Sequence, residues 1–235
     1  MKTLVLGDIH GRKWWKDIVN SDSFDTIIFL GDYVSSHDNI TGEEQIENLK
    51  EILDFKESNW NKVILLRGNH DVQHLNYYWA DCSGYFLDVG RWFEDQKHID
   101  RFLKDTQWIF INDKIIFSHA GISKTWLKCT GLTIDEINNL PPSELFGFSP
   151  GPDNPFDYYG NSIFQPLTWI RPTSLVKDAI DGYIQVVGHT PAKEIIDLNT
   201  RNNKWPHIWL CDTCLEQYLI IDNGEFKIKE VSIVK

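Results

Sequence analysis

The sequence predicts an α/β protein in which two β-sheets pack together and helices cover the outside. Apolar runs of strand length recur along the chain, and several are nearly continuous, as is typical of strands buried on both faces. Helical patterns separate these runs in the first half, whereas short connections separate them near the end. The length of 235 residues fits one sizeable domain or two small ones. Because no linker or internal repeat is visible, we expect a single domain over residues 1–235.

The predicted elements follow a regular order. Eight apolar runs have strand length, namely TLVLG, DTIIFLG, KVILLRG, KIIFSHAG, YIQVVGHT, HIWLC, QYLIID and FKIKEVSIV. Residues 41–57 form an amphipathic helical pattern for which Thr41 is the predicted N-cap. Its apolar stripe contains Ile46, Leu49, Ile52 and Leu53. The segment after GNHD and residues 91–105 also have helical patterns, so the first half reads β-α-β-α-β with parallel strands. Near the end, DNGE at 222–225 predicts a β-hairpin.

Composition limits the possible partners. The formal net charge of -11 argues against a broad nucleic-acid surface or an anionic membrane surface, although a bound metal pair would still create a local phosphate site. No apolar run reaches the length of a transmembrane span, and the early polar motif leaves no room for a signal peptide. We therefore expect a cytoplasmic protein, while the oligomeric state stays open. Cys211 and Cys214 form a lone C-x-x-C, for which a structural role is favoured over a redox or zinc role.

Polar side chains follow the ends of five predicted strands, in LVLGDIHG, IFLGDYVS, LLRGNHD, IIFSHAG and VVGHT. Binding sites in α/β sheets form at the carboxyl ends of strands, and glycine there permits sharp turns and close backbone approach. The residues expected to converge are Asp8, His10, Asp32, Asn69, His70, His119 and His189. Taken singly, each is more often a turn former or a structural residue. Together they suit Mn, Fe or Zn, and the set is too large for one tetrahedral ion. We expect two ions bridged by Asp32, which would bind phosphate oxygens and generate hydroxide at neutral pH.

The motifs GDIHG, GDYV, LLRGNHD, FSHAG and VVGHT occur in an order that resembles the calcineurin-like metallophosphoesterases. The closest branch is the phosphoprotein phosphatase type, which includes bacterial and phage Ser/Thr phosphatases and the symmetrical diadenosine tetraphosphate hydrolases. The closing CDTC and LEQYLIID are also similar to that branch, so the resemblance covers nearly the whole chain. It implies a four-layer α/β/β/α sandwich with two metals at its upper edge.

The resemblance also implies roles for individual residues. The first ion would be held by Asp8, His10 and Asp32, and the second by Asp32, Asn69, His119 and His189. His70 would protonate the leaving oxygen as a general acid. Arg67 would contact phosphate, and Arg171, on a weaker match, would be a second such contact. The implied reaction is direct attack of a metal-bridging hydroxide on phosphorus, in line with the leaving group and without a covalent intermediate.

Three functions fit these motifs. The first is a phosphomonoesterase of the Ser/Thr protein phosphatase type that uses two divalent ions, with Mn favoured and Fe or Zn possible. The second is a phosphodiesterase or dinucleoside polyphosphate hydrolase, in which the aromatic segment 143–166 would stack a base. The third is a degenerate module that binds metals without turnover. Phe156, Tyr158 and Tyr159 would either shape a substrate rim or only pack the loop.

The second motif departs from the branch that it resembles. That branch usually reads Gly-Asp-x-Val-Asp-Arg-Gly, whereas this chain has Ser35 in place of the second Asp and Ser36 in place of the Arg. The second Asp normally orients the acid histidine, and the Arg contacts phosphate. His37 and Asp38 are the nearest residues able to restore these contacts, which alanine substitution of each would test.

Overall fold

Two β-sheets placed face to face organise the chain, whose computed structural model describes residues 1–75, 82–142, 159–201 and 206–231. The strands are β1 (Lys2–Leu6), β2 (Thr26–Phe29), β3 (Val63–Leu66), β4 (Thr106–Gln107), β5 (Ile109–Asn112), β6 (Ile115–Ser118), β7 (Ile184–Val187), β8 (Ile196–Asp197), β9 (Ile208–Leu210), β10 (Gln217–Asp222) and β11 (Glu225–Glu230). The helices are α1 (Trp15–Asn20), α2 (Gly42–Ser58), α3 (Asn69–Val72), α4 (Leu87–Trp92), α5 (Gln96–Asp105), α6 (Lys124–Thr130) and α7 (Pro172–Asp178). Two 3-10 helices cover Ile134–Asn139 and Leu198–Arg201.

Both sheets are mixed, and each has a parallel centre. The six-stranded sheet has the order β11-β10-β1-β2-β3-β4, in which β1 to β4 are parallel and the β10–β11 hairpin is antiparallel to β1. The five-stranded sheet has the order β5-β6-β7-β9-β8, in which β6, β7 and β9 are parallel. Parallel neighbours end at the same edge of a sheet, so the loops after β1, β2 and β3 lie together, as do those after β6 and β7.

Alternation along each strand separates the inner core from the outer ones. The apolar layer between the sheets contains Val5, Ile28, Leu66, Leu219 and Ile221 of the first sheet and Phe117 and Val186 of the second. Leu4 and Phe29 face the other way and share a buried cluster with Leu49 of α2. On the far side of the second sheet, Trp126 of α6 and Leu175 of α7 are buried. The layers therefore follow the order helix, sheet, sheet, helix, which confirms the predicted fold class.

The predicted elements mostly form, and the hairpin and α2 form for the predicted reasons. Thr41 caps α2, since its hydroxyl accepts the Glu44 amide at 3.3 Å and its own amide donates to the Glu44 carboxylate at 2.8 Å. Asn223 and Gly224 both have positive φ, as a tight hairpin turn requires. The helical pattern at 91–105 is split between α4 and α5, because Asp95 caps a new helix by accepting the Lys97 amide.

Several sequence predictions fall outside these elements. Residues 143–158 lie outside the described part of the chain, and with them Phe156 and Tyr158, whereas Tyr159 is exposed. Cys211, at the end of β9, is buried, and Cys214 is exposed. Within the described ranges, no helix is long and apolar enough to cross a bilayer. The prediction of one domain over 1–235 stays a prediction.

Candidate metal centre

Left-handed backbone conformations turn three of the predicted ligands inward. His10, Asp32 and His189 have φ values of 47°, 52° and 63°, which are uncommon for residues other than glycine and concentrate at functional sites. The turn after β1 is held by the carbonyl of Asp32, which accepts the amide of His10 at 2.7 Å. The strand-end loops are therefore fixed to one another before any ligand is considered.

Asp32 lies at the centre of the first group of side chains. Its Oδ2 atom is 3.8 Å from His10 Nε2 and 3.4 Å from His119 Nε2. His10 Nε2 is also 3.9 Å from Asp8 Oδ2. One ligating atom from each of Asp8, Asp32 and His119 lies within 4.8 Å of the others. Asp32 thus faces ligand atoms on both sides, which is the position that a bridging carboxylate needs.

Asn69 lies at the centre of the second group. Its Oδ1 atom is 2.9 Å from His119 Nε2 and 2.9 Å from His189 Nδ1. Two ligand atoms that are each about 2.1 Å from one ion lie about 3.0–3.5 Å apart, so these spacings need to widen only slightly to hold a shared cation. Carboxylate, amide and imidazole donors suit Mn, Fe or Zn. The structure thus brings together all six residues predicted to bind metal, and their role as ligands stays a prediction.

Backbone groups orient the histidines and carboxylates from outside. His10 Nδ1 is 2.9 Å from the Val34 carbonyl, and His119 Nδ1 is 2.8 Å from the Leu30 carbonyl. A proton on Nδ1 donated to a carbonyl leaves the Nε2 lone pair of each ring available to an ion. Asp8 accepts the backbone amide of His189 at 3.0 Å. The ligand set is therefore held in one orientation by the fold.

Asp71 supports this site, although no role is predicted for it from the motifs. Its carboxylate accepts the backbone amides of Asp32 at 2.8 Å, Tyr33 at 2.7 Å and Gly68 at 2.9 Å. These bonds tie the loop after β2 to the loop after β3. Burial raises the pKa of Asp71 to about 7. The only sequence signal was the place of Asp71 in LLRGNHD, which does not specify the amides that it binds.

The electrostatics of the site favour a bound cation. Burial and the neighbouring Asp212 raise the pKa of Asp8 well above its usual range. Burial works against the charged ring of His119, but Asp32 and Asp8 raise its pKa to about 10. Burial also opposes the charge of Asp32, whose pKa is nevertheless lowered by the adjacent histidines, His119 foremost. Several carboxylates buried this closely need compensating positive charge, which a divalent ion provides more completely than an imidazole.

His70 lies beside the ligands, where a group that acts on a leaving oxygen would be expected. Its backbone amide donates to Asp32 Oδ1 at 2.8 Å, and its ring centroid is 5.1 Å from that of His10. The ring of His37 is 5.7 Å from that of His70. Burial lowers the pKa of His70 to about 4. The catalytic role predicted for His70 is compatible with this position.

Residues 35–38, where the second motif differs from the branch that it resembles, make contacts that the sequence did not predict. Asp38 accepts a hydrogen bond from Arg12 Nε at 2.8 Å, which makes Asp38 a partner of Arg12. Ser35 Oγ is 3.0 Å from His74 Nε2, and His74 is fully buried. Of the two residues proposed to restore lost contacts, His37 is the one that lies against His70.

The two predicted phosphate-binding arginines have different surroundings. Arg67 donates through Nε to Thr106 Oγ1 at 2.8 Å and through Nη2 to the Leu103 carbonyl at 2.7 Å, and its guanidinium lies over Trp108. These contacts tie β3 to the end of α5, and the phosphate contact of Arg67 stays a prediction.

Arg171, by contrast, borders the metal ligands. Its Nη1 atom donates to the His189 carbonyl at 3.1 Å and to Thr190 Oγ1 at 3.2 Å. Burial lowers the pKa of Arg171, while Asp8 and Asp32 oppose that change. Its cationic group therefore lies within the electrostatic reach of the centre, as the predicted phosphate contact requires.

Known proteins are similar to this chain in sequence. The sequence model of the calcineurin-like phosphoesterases matches residues 1–205. The putative serine/threonine-protein phosphatase C06A1.3 of Caenorhabditis elegans is 25% identical over 177 residues, which cover 72% of this chain and 42% of that protein. Serine/threonine-protein phosphatase PP1-delta of the same organism is 26% identical over 184 residues, which cover 74% of this chain and 51% of that protein. The chain thus spans about half the length of these curated relatives.

Solved structures share the fold. A cold-active protein-tyrosine phosphatase of a psychrophilic Shewanella species superposes with a TM-score of 0.62 at 19% identity, covering 97% of this chain and 77% of that one. A Saccharomyces cerevisiae protein serine/threonine phosphatase, described as similar to human phosphatase PP5, gives a TM-score of 0.60 at 15% identity, covering 100% of this chain and 81% of that one. At these identities the likeness concerns the fold alone.

Proposed function

The chain belongs to the calcineurin-like phosphoesterase family, and from that premise we propose that it is a metal-dependent hydrolase of phosphate monoesters. The observation that carries the proposal is the convergence of His10, His119 and their neighbours on the Asp32 carboxylate, with Asn69 shared by two histidines. A structural Asp or His would need one partner, whereas these residues direct several ligand atoms into one small volume.

Two divalent ions fit the donor set, and we propose Mn as the favoured metal, with Fe or Zn also accepted by these ligands. The first ion would be held by Asp8, His10 and Asp32. The second would be held by Asp32, Asn69, His119 and His189. When bound, such a pair supplies Lewis-acid activation of water and of phosphoryl oxygens.

The remaining roles fall to side chains at the border of the centre. Arg171 would bind phosphoryl oxygens through its planar guanidinium, which is already anchored to the loop that carries His189. His70 would donate a hydrogen bond to the leaving oxygen, since its amide holds it next to Asp32. The substrate is thereby oriented between a cationic group and a ring donor.

We propose phosphorylated Ser or Thr residues of proteins as the substrate class. The curated relatives named above are serine/threonine-protein phosphatases, and together they support a monoester over a diester. A cytoplasmic location is part of the same proposal, because Cys129, Cys211 and Cys214 are free thiols.

A matched substrate panel tests the proposal. Protein purified without chelators and supplied with Mn is assayed on an aryl phosphate, an aryl phosphodiester, a phosphopeptide and a dinucleoside polyphosphate. We expect turnover of the aryl phosphate and the phosphopeptide, and the highest kcat/KM on the phosphopeptide. Preference for the diester or the dinucleotide would contradict the monoester assignment. Bound metal without turnover of any substrate would contradict the proposed activity.

Replacing Arg171 with Ala is expected to lower kcat/KM for the aryl phosphate by about 10- to 100-fold, since a hydrogen bond to a charged group is worth about 1.5–3 kcal/mol. Lys should restore only part of this loss, because an ammonium lacks the planar fork. Arg101→Ala, which removes an arginine paired with Asp54 on the surface, serves as the control. If Arg171→Ala has wild-type kinetics, the proposed contact between Arg171 and the phosphoryl group is refuted.

A further inference from the structure

Gln73 contacts the Nδ1 nitrogen of His70. Gln73 is buried just after α3, and its Nε2 atom lies 3.2 Å from His70 Nδ1. The same Nε2 donates to Ser35 Oγ at 3.0 Å. The side-chain amide of Gln73 therefore connects His70, beside the proposed metal ligands, to Ser35, which stands where the resembled branch has an Asp.

The orientation of the Gln73 amide is fixed by its other partners. Its Oε1 atom accepts the backbone amide of Cys82 at 3.3 Å, and a backbone amide can only donate. Its Nε2 atom lies 3.4 Å from the Ser83 carbonyl, which can only accept. The oxygen must therefore face Cys82, and the NH2 group must face His70 and Ser35.

This orientation specifies the tautomer of His70. Because the Gln73 NH2 group donates, His70 Nδ1 must accept, and a neutral ring that accepts at Nδ1 carries its proton on Nε2. The Cys82 sulfur is 3.8 Å from the same nitrogen, where its thiol can act as a weak donor to an unprotonated Nδ1. A carboxylate partner would have the opposite effect, because it would place the proton on Nδ1.

We propose that Gln73 is a positioning residue that holds His70 with its proton on Nε2, the ring nitrogen left to face the leaving oxygen. Ser35 completes the arrangement: its hydroxyl accepts from the same Gln73 NH2 group and lies 3.0 Å from His74 Nε2. A neutral network therefore occupies the position where the related phosphatases have an Asp. This inference rests on the proposed function for its catalytic part, but the tautomer itself does not depend on activity.

Nitrogen NMR of the His70 ring tests the tautomer directly. In the wild-type protein we expect a protonated Nε2 and an unprotonated Nδ1 in the neutral ring, assigned with His70→Gln. Gln73→Glu keeps an acceptor for the Cys82 amide but presents a carboxylate to Nδ1, so the proton should move to Nδ1. Gln73→Met keeps the volume without hydrogen bonds and should leave a mixture. An unchanged tautomer in both variants would overturn the inference.

Kinetics with two leaving groups test the catalytic consequence. Gln73→Met should lower kcat by about 10- to 100-fold for an alkyl phosphate, whose departing oxygen needs a donor, and should have little effect on kcat for a nitrophenyl phosphate. KM should not change. Gln185→Met is the matched control, because Gln185 is a buried glutamine that pairs with the backbone of Ile122.

The outcomes separate the two proposals. An inactive wild-type protein would refute the proposed function, while the NMR result would still decide the tautomer. If the wild-type protein is active and Gln73→Met lowers kcat by the same factor on both substrates, the positioning role is refuted. Gln185→Met shows the uniform loss that instability alone would cause.

Discussion

Asp32→Asn is expected to abolish Mn-dependent hydrolysis of an aryl phosphate, with a loss of about 1,000-fold or more. The Asp32 carboxylate faces both His10 and His119, at 3.8 and 3.4 Å, and it is the proposed bridge, so both proposed ions depend on it. An amide has no charge, and one of its two ends is a donor that repels a cation. Metal charge contributes several kcal/mol to the transition state of phosphoryl transfer, which corresponds to the expected factor.

The variant should remain folded, which makes the experiment decisive. The amide oxygen of the substituted side chain would still accept the His70 backbone amide, which Asp32 Oδ1 accepts at 2.8 Å in the native chain. Asp197→Asn is the matched control, because Asp197 is also buried and also accepts backbone amides, from Asn199 and Ile208, but lies on β8. Bound metal per chain and kcat are measured for both variants. Asp32→Asn with wild-type metal content and activity would refute the two-ion centre.

The sequence predicted which polar residues lie together at the strand ends, because strand ends are a local feature. Asp8, Asp32 and His119 each follow an apolar run after one small residue, and parallel pairing brings such positions to one edge. The N-cap role of Thr41 was equally predictable, because a capping box involves residues only three apart. Each of these inferences needed the order of residues and the period of a strand or helix, and no knowledge of distant contacts.

Residues that act through distant partners were not predictable in this way. Arg67 occupies a motif position that suggests a phosphate contact, which stays a prediction, whereas its contact with Thr106, 39 residues later, has no signal in the sequence. That contact depends on the pairing of β3 with the two-residue strand β4, which is too short to give a period. Gln73 likewise has no motif, and its partner Ser35 is 38 residues away. The motif identifies Ser35 as a departure, but it does not specify the contacts of Ser35 with Gln73 and His74.

Gly188→Ala is expected to disrupt the proposed metal centre nearly as much as the loss of a ligand would. A glycine at this strand end lets the backbone pass close to the Asp8 carboxylate. A Cβ atom on Gly188 would lie 2.1 Å from Asp8 Oδ1, well inside the contact distance. The loop cannot relax freely, because the Gly188 amide donates to the His119 carbonyl at 2.8 Å and the His189 amide donates to Asp8. Overpacking of this kind costs about 1–3 kcal/mol of folding free energy and would move Asp8 out of position.

Gly131→Ala separates this steric effect from the general cost of replacing glycine. Gly131 ends α6 with φ of 71°, and a Cβ atom there would meet nothing within 4 Å. That variant should lose about 1 kcal/mol of stability through backbone strain alone and keep its full metal content. Gly188→Ala should lose bound metal and activity even at temperatures where it is fully folded by circular dichroism. Because the metal content of the two variants is compared in the folded state, equal content in both would mean that the Asp8 carboxylate does not need this close approach of the backbone.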